Sequence, residues 1–151
     1  MFKKIFILLL LSLILGGCGY ETIYTNIGEF NYKILVAEHT GDRDMRNLIN
    51  SRLEKYSEIK SDKRFIIKID TIYQKNVTAK DVSGKATDYQ IKVTSSFNVK
   101  SEVVNKIIKI NETFNVKGMD DKFEEQRYDA IIKNNIANAI VKKIILQLSR
   151  N

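Results

Sequence analysis

The stretch Asp88-Tyr89-Gln90-Ile91-Lys92-Val93-Thr94-Ser95-Ser96-Phe97-Asn98-Val99 alternates apolar and polar side chains almost without a break. Successive side chains of a β-strand point to opposite faces, so this alternation predicts a long strand with one dry face and one wet face. A strand of this kind needs neighbours that repeat the pattern and a second layer that covers the dry face.

The flanking segments repeat the pattern. In Arg64–Ala79 and Ile108–Val116 apolar residues again fall on one row, and Asp81-Val82-Ser83-Gly84 is a typical turn between the first two strands. Glu112 falls on the apolar row of the third strand, which is expected near a sheet edge. The three segments therefore predict an antiparallel meander.

Two helices and one further strand complete the predicted domain. Tyr32–Ala37 is nearly all apolar, which favours a strand in the interior of the sheet. Apolar residues at three- and four-residue spacing predict one helix from Asp42 to Ser57 and a second, of about 25 residues, from Phe123 to Ser149. The strict four-residue step of the second helix drifts around its axis, so we expect either a curved helix or last turns covered by something else.

The order β-α-β-β-β-α predicts an α+β fold, a two-layer sandwich. We expect a four-stranded, mostly antiparallel sheet with two helices on one face.

The N-terminus carries Lys3 and Lys4, an apolar run from Ile5 to Leu15, and then Leu15-Gly16-Gly17-Cys18. The apolar run is too short for a transmembrane helix and is typical of a secretory signal peptide. Leu15 to Cys18 resembles the lipobox of bacterial lipoproteins, which implies lipidation of Cys18. The alternative is a secreted protein whose cysteine lies near the cleavage site by chance. The predicted divisions are a signal peptide over 1–17, a lipidated N-terminus and tether over 18–31, and one domain over 32–151.

Composition bounds the function. The chain has 25 basic and 18 acidic residues, a net charge of +7. In an exported lipoprotein this surplus points to lipopolysaccharide phosphates, anionic headgroups or acidic proteins, and not to nucleic acid; solubilising lysines are the alternative. His39 and Cys18 are the single histidine and cysteine, and no nucleophile or phosphate-binding motif is present. We therefore expect neither an enzyme nor a metal or cofactor site, with His39 on the surface at a strand end.

Four features together resemble the LPS-assembly lipoprotein LptE family: Cys18-Gly19-Tyr20, the element order, the Asp88–Val99 strand, and Tyr128-Asp129-Ala130 opening a long helix. The resemblance implies a lipoprotein of the outer membrane, anchored in outer-membrane lipid by its acyl chains. It also implies a role as a plug in an LptD-type β-barrel that assists delivery of lipopolysaccharide to the outer leaflet. A generic envelope lipoprotein that scaffolds another assembly, or a periplasmic lipid or small-ligand binder, are the other interpretations.

The residues suited to these roles lie on the wet sheet face and at the hairpin. The candidate lipopolysaccharide-binding residues are Lys68, Lys75, Lys80, Lys85 and Lys92. The candidate partner-contact residues are Ser83, Thr94, Ser96, Asn98, Asn111 and Thr113.

Overall fold

The computed structural model describes residues 31–150. The predicted signal peptide, the tether up to residue 30 and Cys18 lie outside the described residues. The described chain runs β1 (Lys33–Gly41), α1 (Arg43–Ser57), β2 (Arg64–Lys80), β3 (Ala86–Lys100), β4 (Asn105–Lys117) and α2 (Lys122–Leu148). This is the predicted order, and each predicted helix and strand is present.

The four strands form one sheet in the order β1-β2-β3-β4. β1 is parallel to β2, and the other two pairs are antiparallel, as a meander requires. Ile67, Ile91 and Phe97 lie on the covered face and are fully buried, together with side chains of both helices. The α+β sandwich with two helices on one face of a mostly antiparallel sheet is therefore confirmed.

The position predicted for the first strand is wrong, because β1 is an edge strand. Of its residues only Ile34 is buried, and the apolar neighbours Leu35 and Val36 are partly exposed. The strand also continues past Ala37 to Gly41, where the backbone takes φ +94° and a Cβ would lie 2.0 Å from the Thr71 carbonyl oxygen. An edge strand that is parallel to its neighbour can be nearly all apolar when a following helix packs over it. The apolar run therefore does not distinguish an edge position from an interior one.

Both helices begin where a capping side chain predicts. Asp42 accepts a hydrogen bond from the Met45 amide at 2.9 Å, and Asp121 accepts from the Phe123 amide at 2.7 Å. The buried positions of α2 drift around the helix from Ile132 to Leu148, as its four-residue step predicts. The last turns are covered by the core of the chain itself, since Ile144 and Leu148 are fully buried.

Polar groups inside the sandwich are paired. Thr71 and Ser95 face each other across β2 and β3, fully buried, with their hydroxyl oxygens 3.0 Å apart. His39 extends this series of side-chain contacts, since its Nε2 lies 3.0 Å from Thr71 Oγ1 and its Nδ1 lies 2.7 Å from Asn50 Oδ1. His39 is thus half-buried on the covered row, and its predicted surface position is wrong. Burial lowers the pKa of the imidazole below its ordinary value of 6.5.

Glu112, the exception on the apolar row, lies on the edge strand β4 as expected. Its Oε1 is 2.6 Å from Lys143 Nζ of α2, a charge contact without the alignment of a good hydrogen bond. The carboxylate is mostly buried while the ammonium is half-exposed. One ionic contact from the helix layer therefore makes an acidic residue tolerable at the rim of the core.

Candidate partner-binding surface

The second face of the sheet is covered by neither helix, and we call it the open face. The register of the strands brings the outward positions of β2, β3 and β4, most of them polar, into continuous rows across it. One row is Ile72, Thr94 and Asn111, and the next is Gln74, Lys92 and Thr113. Another places Ser96 between Asp70 and Lys109.

Five of the predicted partner-contact residues therefore share one surface: Thr94, Ser96, Asn98, Asn111 and Thr113. Asn98, Asn111 and Thr113 are exposed, and Thr94 and Ser96 are partly exposed. The Thr94 hydroxyl donates to Asn111 Oδ1 at 2.8 Å, which fixes both side chains on the face. These short polar side chains are exposed or partly exposed, so the surface can exchange hydrogen bonds with another polar surface.

Charge on the open face is mixed, with a basic excess. Lys68 makes an ion pair with Glu38 at 3.0 Å, and both side chains stay more than half exposed. Lys92 is exposed on the same face. The basic positions of the face are Lys33, Arg64, Lys68, Lys92, Lys100, Lys109 and Lys117, and the acidic positions are Glu38, Asp70 and Asp88. Exposed amines of this kind suit anionic groups as point charges.

The β2–β3 hairpin extends beyond the helix layer, so residues 76–85 are exposed. Its turn is built around Asp81, whose Oδ1 accepts from the Ser83 amide at 2.9 Å, the Ser83 hydroxyl at 2.7 Å and the Lys85 amide at 2.9 Å. These hydrogen bonds, led by that from Ser83, lower the pKa of Asp81. Lys80 is exposed beside the turn, and Lys85 makes an ion pair with Asp120. The tip is therefore preorganised.

Lys75 lies on the other face of the sheet. Its register partner is the buried Ile91, and its amine contacts Glu125 at 3.0 Å and Asp129 at 3.0 Å on α2. The amine also lies 4.6 Å from the centre of the Tyr89 ring. Burial alone would lower the pKa of Lys75, but the hydrogen bonds to the two carboxylates outweigh it and raise that pKa. Lys75 therefore joins the sheet to α2 and does not share a surface with Lys68 and Lys92.

Two shallow grooves lie beside the helices. A groove of about 730 Å³ runs between β1 and α1, and a smaller one of about 270 Å³ lies between α1 and α2, where Asp44, Asn47 and Lys133 line it. Among residues 31–150 no three His, Cys, Asp or Glu side chains are grouped as a metal site would need. None of the helices within that range is both long and apolar enough to cross a membrane.

No protein-family model matches the chain, and no curated protein is significantly similar to it in sequence. Solved structures similar in fold include three bacterial lipoproteins. Rare lipoprotein B from Shewanella oneidensis matches 79% of this chain and 96% of its own, with a TM-score of 0.56 at 11% identity. Uncharacterized lipoprotein B from Nitrosomonas europaea matches 81% of this chain and 87% of its own, with a TM-score of 0.56 at 14% identity. A putative lipoprotein from Caulobacter crescentus matches 80% of this chain and 89% of its own, with a TM-score of 0.50 at 12% identity. The chain thus has the fold of these bacterial lipoproteins.

Sequence reasoning located most of this surface but missed two of its features. The even-numbered positions of β3 identify the open face directly, whereas Lys75 is odd-numbered, like Tyr73 and Val77 on the covered row. Whether a residue number is odd or even was therefore the signal that places Lys75 and Lys68 on different faces of the sheet. The second omission is Asp81, whose carboxylate holds the hairpin turn; its place at the start of a turn with Gly84 was the signal.

Proposed function

We propose that this chain is a lipoprotein of the outer membrane that places its open face and β2–β3 hairpin inside the lumen of a large β-barrel of LptD type. The observation that carries the proposal is the open face itself, a sheet surface that residues 31–150 leave without a second layer. Most of its outward positions on β3 and β4 are Thr, Ser, Asn, Gln or Lys, and Ile66 and Ile72 of β2 and Ile107 of β4 are exposed apolar exceptions. A mainly polar surface of this kind suits the hydrated interior of a barrel.

Two lines of support stand beside the geometry. The lipobox at Leu15-Gly16-Gly17-Cys18 supplies an anchor that would hold the domain at a membrane. The fold is that of solved bacterial lipoproteins, over most of their length. Both agree with the LptE-type resemblance of the sequence.

Within such a complex, the exposed amines Lys68, Lys80, Lys85 and Lys92 would contact phosphate groups of lipopolysaccharide on its path to the outer leaflet. Lys80 flanks the turn and carries no acidic partner among the described contacts, so it is the better placed amine. Lys85 would first have to leave Asp120, an exchange between two exposed partners that costs little.

Photo-crosslinking in intact cells tests the proposal. Crosslinkers at Thr94, in the middle of the open face, and at Ser83, at the hairpin tip, should capture one outer-membrane barrel of high mass. Lys55, exposed on α1, gives the comparison position on the helix layer. If neither position captures a barrel, the proposal that this domain plugs a barrel is wrong, and the alternative of a generic envelope scaffold replaces it.

A second experiment separates assembly from lipid handling. Lys80→Glu with Lys85→Glu should leave the complex intact, since both side chains are exposed, and should lower capture of lipopolysaccharide by the purified complex. Lys109→Glu on the open face, far from the tip, is the matched charge reversal. Unchanged capture would leave the hairpin lysines with a solubilising role only.

A further inference from the structure

The sheet has two ends of unlike charge. One end carries the start of β1, the α1–β2 connection and the β3–β4 turn, which are residues 31–33, 58–64 and 100–107; we call it the basic end. The other carries the β2–β3 hairpin and the β4–α2 connection, residues 80–88 and 117–124. Because strands β2 and β3 span 17 and 15 residues, the two ends lie on the order of 50 Å apart.

Basic side chains dominate the first end. It holds the basic residues Lys33, Lys60, Lys63, Arg64, Lys100 and Lys106, against the acidic residues Glu58, Asp62 and Glu102. The opposite end holds Lys80, Lys85, Lys117 and Lys122, against Asp81, Asp88, Asp120, Asp121 and Glu124. Lys60, Arg64 and Lys100 are exposed and have no ion pair among the described contacts. Basic residues therefore outnumber acidic ones at this end and not at the other, which favours the binding of an extended anionic surface here.

Exposed apolar side chains lie among these bases. Val103, at the tip of the β3–β4 turn, is 89% exposed, and Ile107 at the start of β4 is 67% exposed. The turn that presents Val103 is fixed, because the Ser101 hydroxyl accepts from the Val104 amide at 3.0 Å and the Ser101 amide donates to the Val104 carbonyl at 2.7 Å. A rigid apolar tip among lysines is the arrangement by which a protein surface enters the interface of an anionic bilayer.

The described chain also begins at this end. The carbonyl of Asn31 accepts from the Ser61 hydroxyl at 2.7 Å, and the Lys33 amide donates to the Lys63 carbonyl at 2.9 Å, so the entry of the chain is tied to the α1–β2 connection. Cys18 lies thirteen residues before Asn31, a separation that cannot exceed about 45 Å of extended chain. An anchor at Cys18 would therefore restrict which part of the domain can meet the membrane.

We propose that the basic end docks on the surface of an anionic phospholipid bilayer, with Val103 and Ile107 entering the headgroup region and Lys60, Arg64 and Lys100 contacting lipid phosphates. The proposal rests on charge and exposed apolar area, and it goes beyond the barrel partner. Arg64, Lys100 and Ile107 lie at the outer end of the open face, so the hairpin tip and the middle of that face around Thr94 and Asn111 remain available to that partner.

The test uses the full chain with an environment-sensitive fluorescent amino acid at position 103, and in a second protein at position 82. Val82 is the matched control, since it is a fully exposed valine at a turn between two lysine-bearing strands, at the opposite end. With vesicles of phosphatidylglycerol and phosphatidylcholine, the probe at 103 should shift to the blue and be quenched by spin-labelled lipid. The probe at 82 should not respond. Phosphatidylcholine vesicles alone should give the weaker response at 103, and salt should reduce the response to the mixed vesicles.

Charge variants measured with the probe at 103 complete the test. Lys60→Gln and Lys100→Gln should each lower the ratio of docked to undocked protein about fivefold, as expected for one basic residue near an anionic surface. Lys122→Gln, an exposed lysine at the other end to which no binding role is assigned, should leave it unchanged. Equal responses at 103 and 82, or indifference to phosphatidylglycerol, would overturn the proposal. Either result would leave crosslinking at Thr94 unaffected, so the two proposals fail separately.

Discussion

Replacing Lys75 by methionine tests whether the ionic cluster beneath the hairpin fastens α2 to the sheet. Methionine keeps most of the volume and removes the ammonium that joins Glu125 and Asp129. The side chains of these three residues are 22%, 31% and 28% exposed, so the cluster lies between a surface pair and a buried one. Exposed pairs contribute about 0–1 kcal/mol, and breaking a buried pair costs about 3–5 kcal/mol.

We therefore expect Lys75→Met to lower the free energy of unfolding by about 1–3 kcal/mol, because two neighbouring carboxylates lose their shared cation. For a domain of this size that corresponds to a fall in Tm of roughly 4 °C per kcal/mol. Chemical denaturation followed by circular dichroism measures the change. Lys92→Met on the open face of the same sheet is the matched control and should change stability by no more than about 0.5 kcal/mol.

A rescue distinguishes charge from packing. Adding Asp129→Asn to Lys75→Met removes one of the two stranded carboxylates and should restore part of the lost stability. If Lys75→Met is as silent as Lys92→Met, the cluster contributes nothing and the contact is incidental. If the loss is large but Asp129→Asn restores none of it, the lysine acts through its ammonium above the Tyr89 ring, and the reasoning from the two carboxylates is wrong.

Three further predictions follow from the sequence and the core. Cys18→Ala should remove the acyl modification and leave a protein that is soluble or retains its signal peptide. Detergent partitioning and mass spectrometry of the N-terminal peptide measure this. An unmodified Cys18 in the mature wild-type protein would contradict the lipoprotein hypothesis. Ile91→Lys should unfold the domain, because burying an unpaired charge costs several kcal/mol. Thr94→Ala on the open face should be tolerated, and thermal melts of both variants measure the difference. Equal tolerance of the two variants would show that the strand register is wrong. The pKa of His39 is lowered in the folded protein, so the unfolded chain binds a proton first and stability should fall as the pH drops below about 6.5. His39→Gln should reduce that loss, and an unchanged pH profile would exclude His39 as its source.

The sheet was predictable because its strands are long and alternate strictly. Ile91, Val93, Phe97 and Val99 could hardly lie on different faces, and a one-residue slip would expose all of them. The edge position of β1 was not predictable from its composition, since a parallel strand beneath a helix can carry the same apolar run in the interior or at the edge. The order of strands depends on contacts that lie far apart in the sequence.

The candidate surface was predictable to the same extent. Thr94, Ser96 and Asn111 follow from alternation alone, and the structure brings them together. Lys75 and His39 were misplaced because polar residues on an apolar row look like surface residues until their partners are known. Those partners, Asp129 and Asn50, come from helices whose docking on the sheet no local pattern encodes.

The most direct measurement of the central claim is the identity of the peptide crosslinked to position 94 in intact cells. If the open face lies inside a barrel, mass spectrometry should place the crosslink on a strand residue of an outer-membrane barrel that faces the lumen. A crosslinker at Asn98, four residues further along β3 on the same face, should reach a second lumen-facing residue of the same barrel. Crosslinks from both positions to a protein without a barrel, or to no protein at all, would contradict the account.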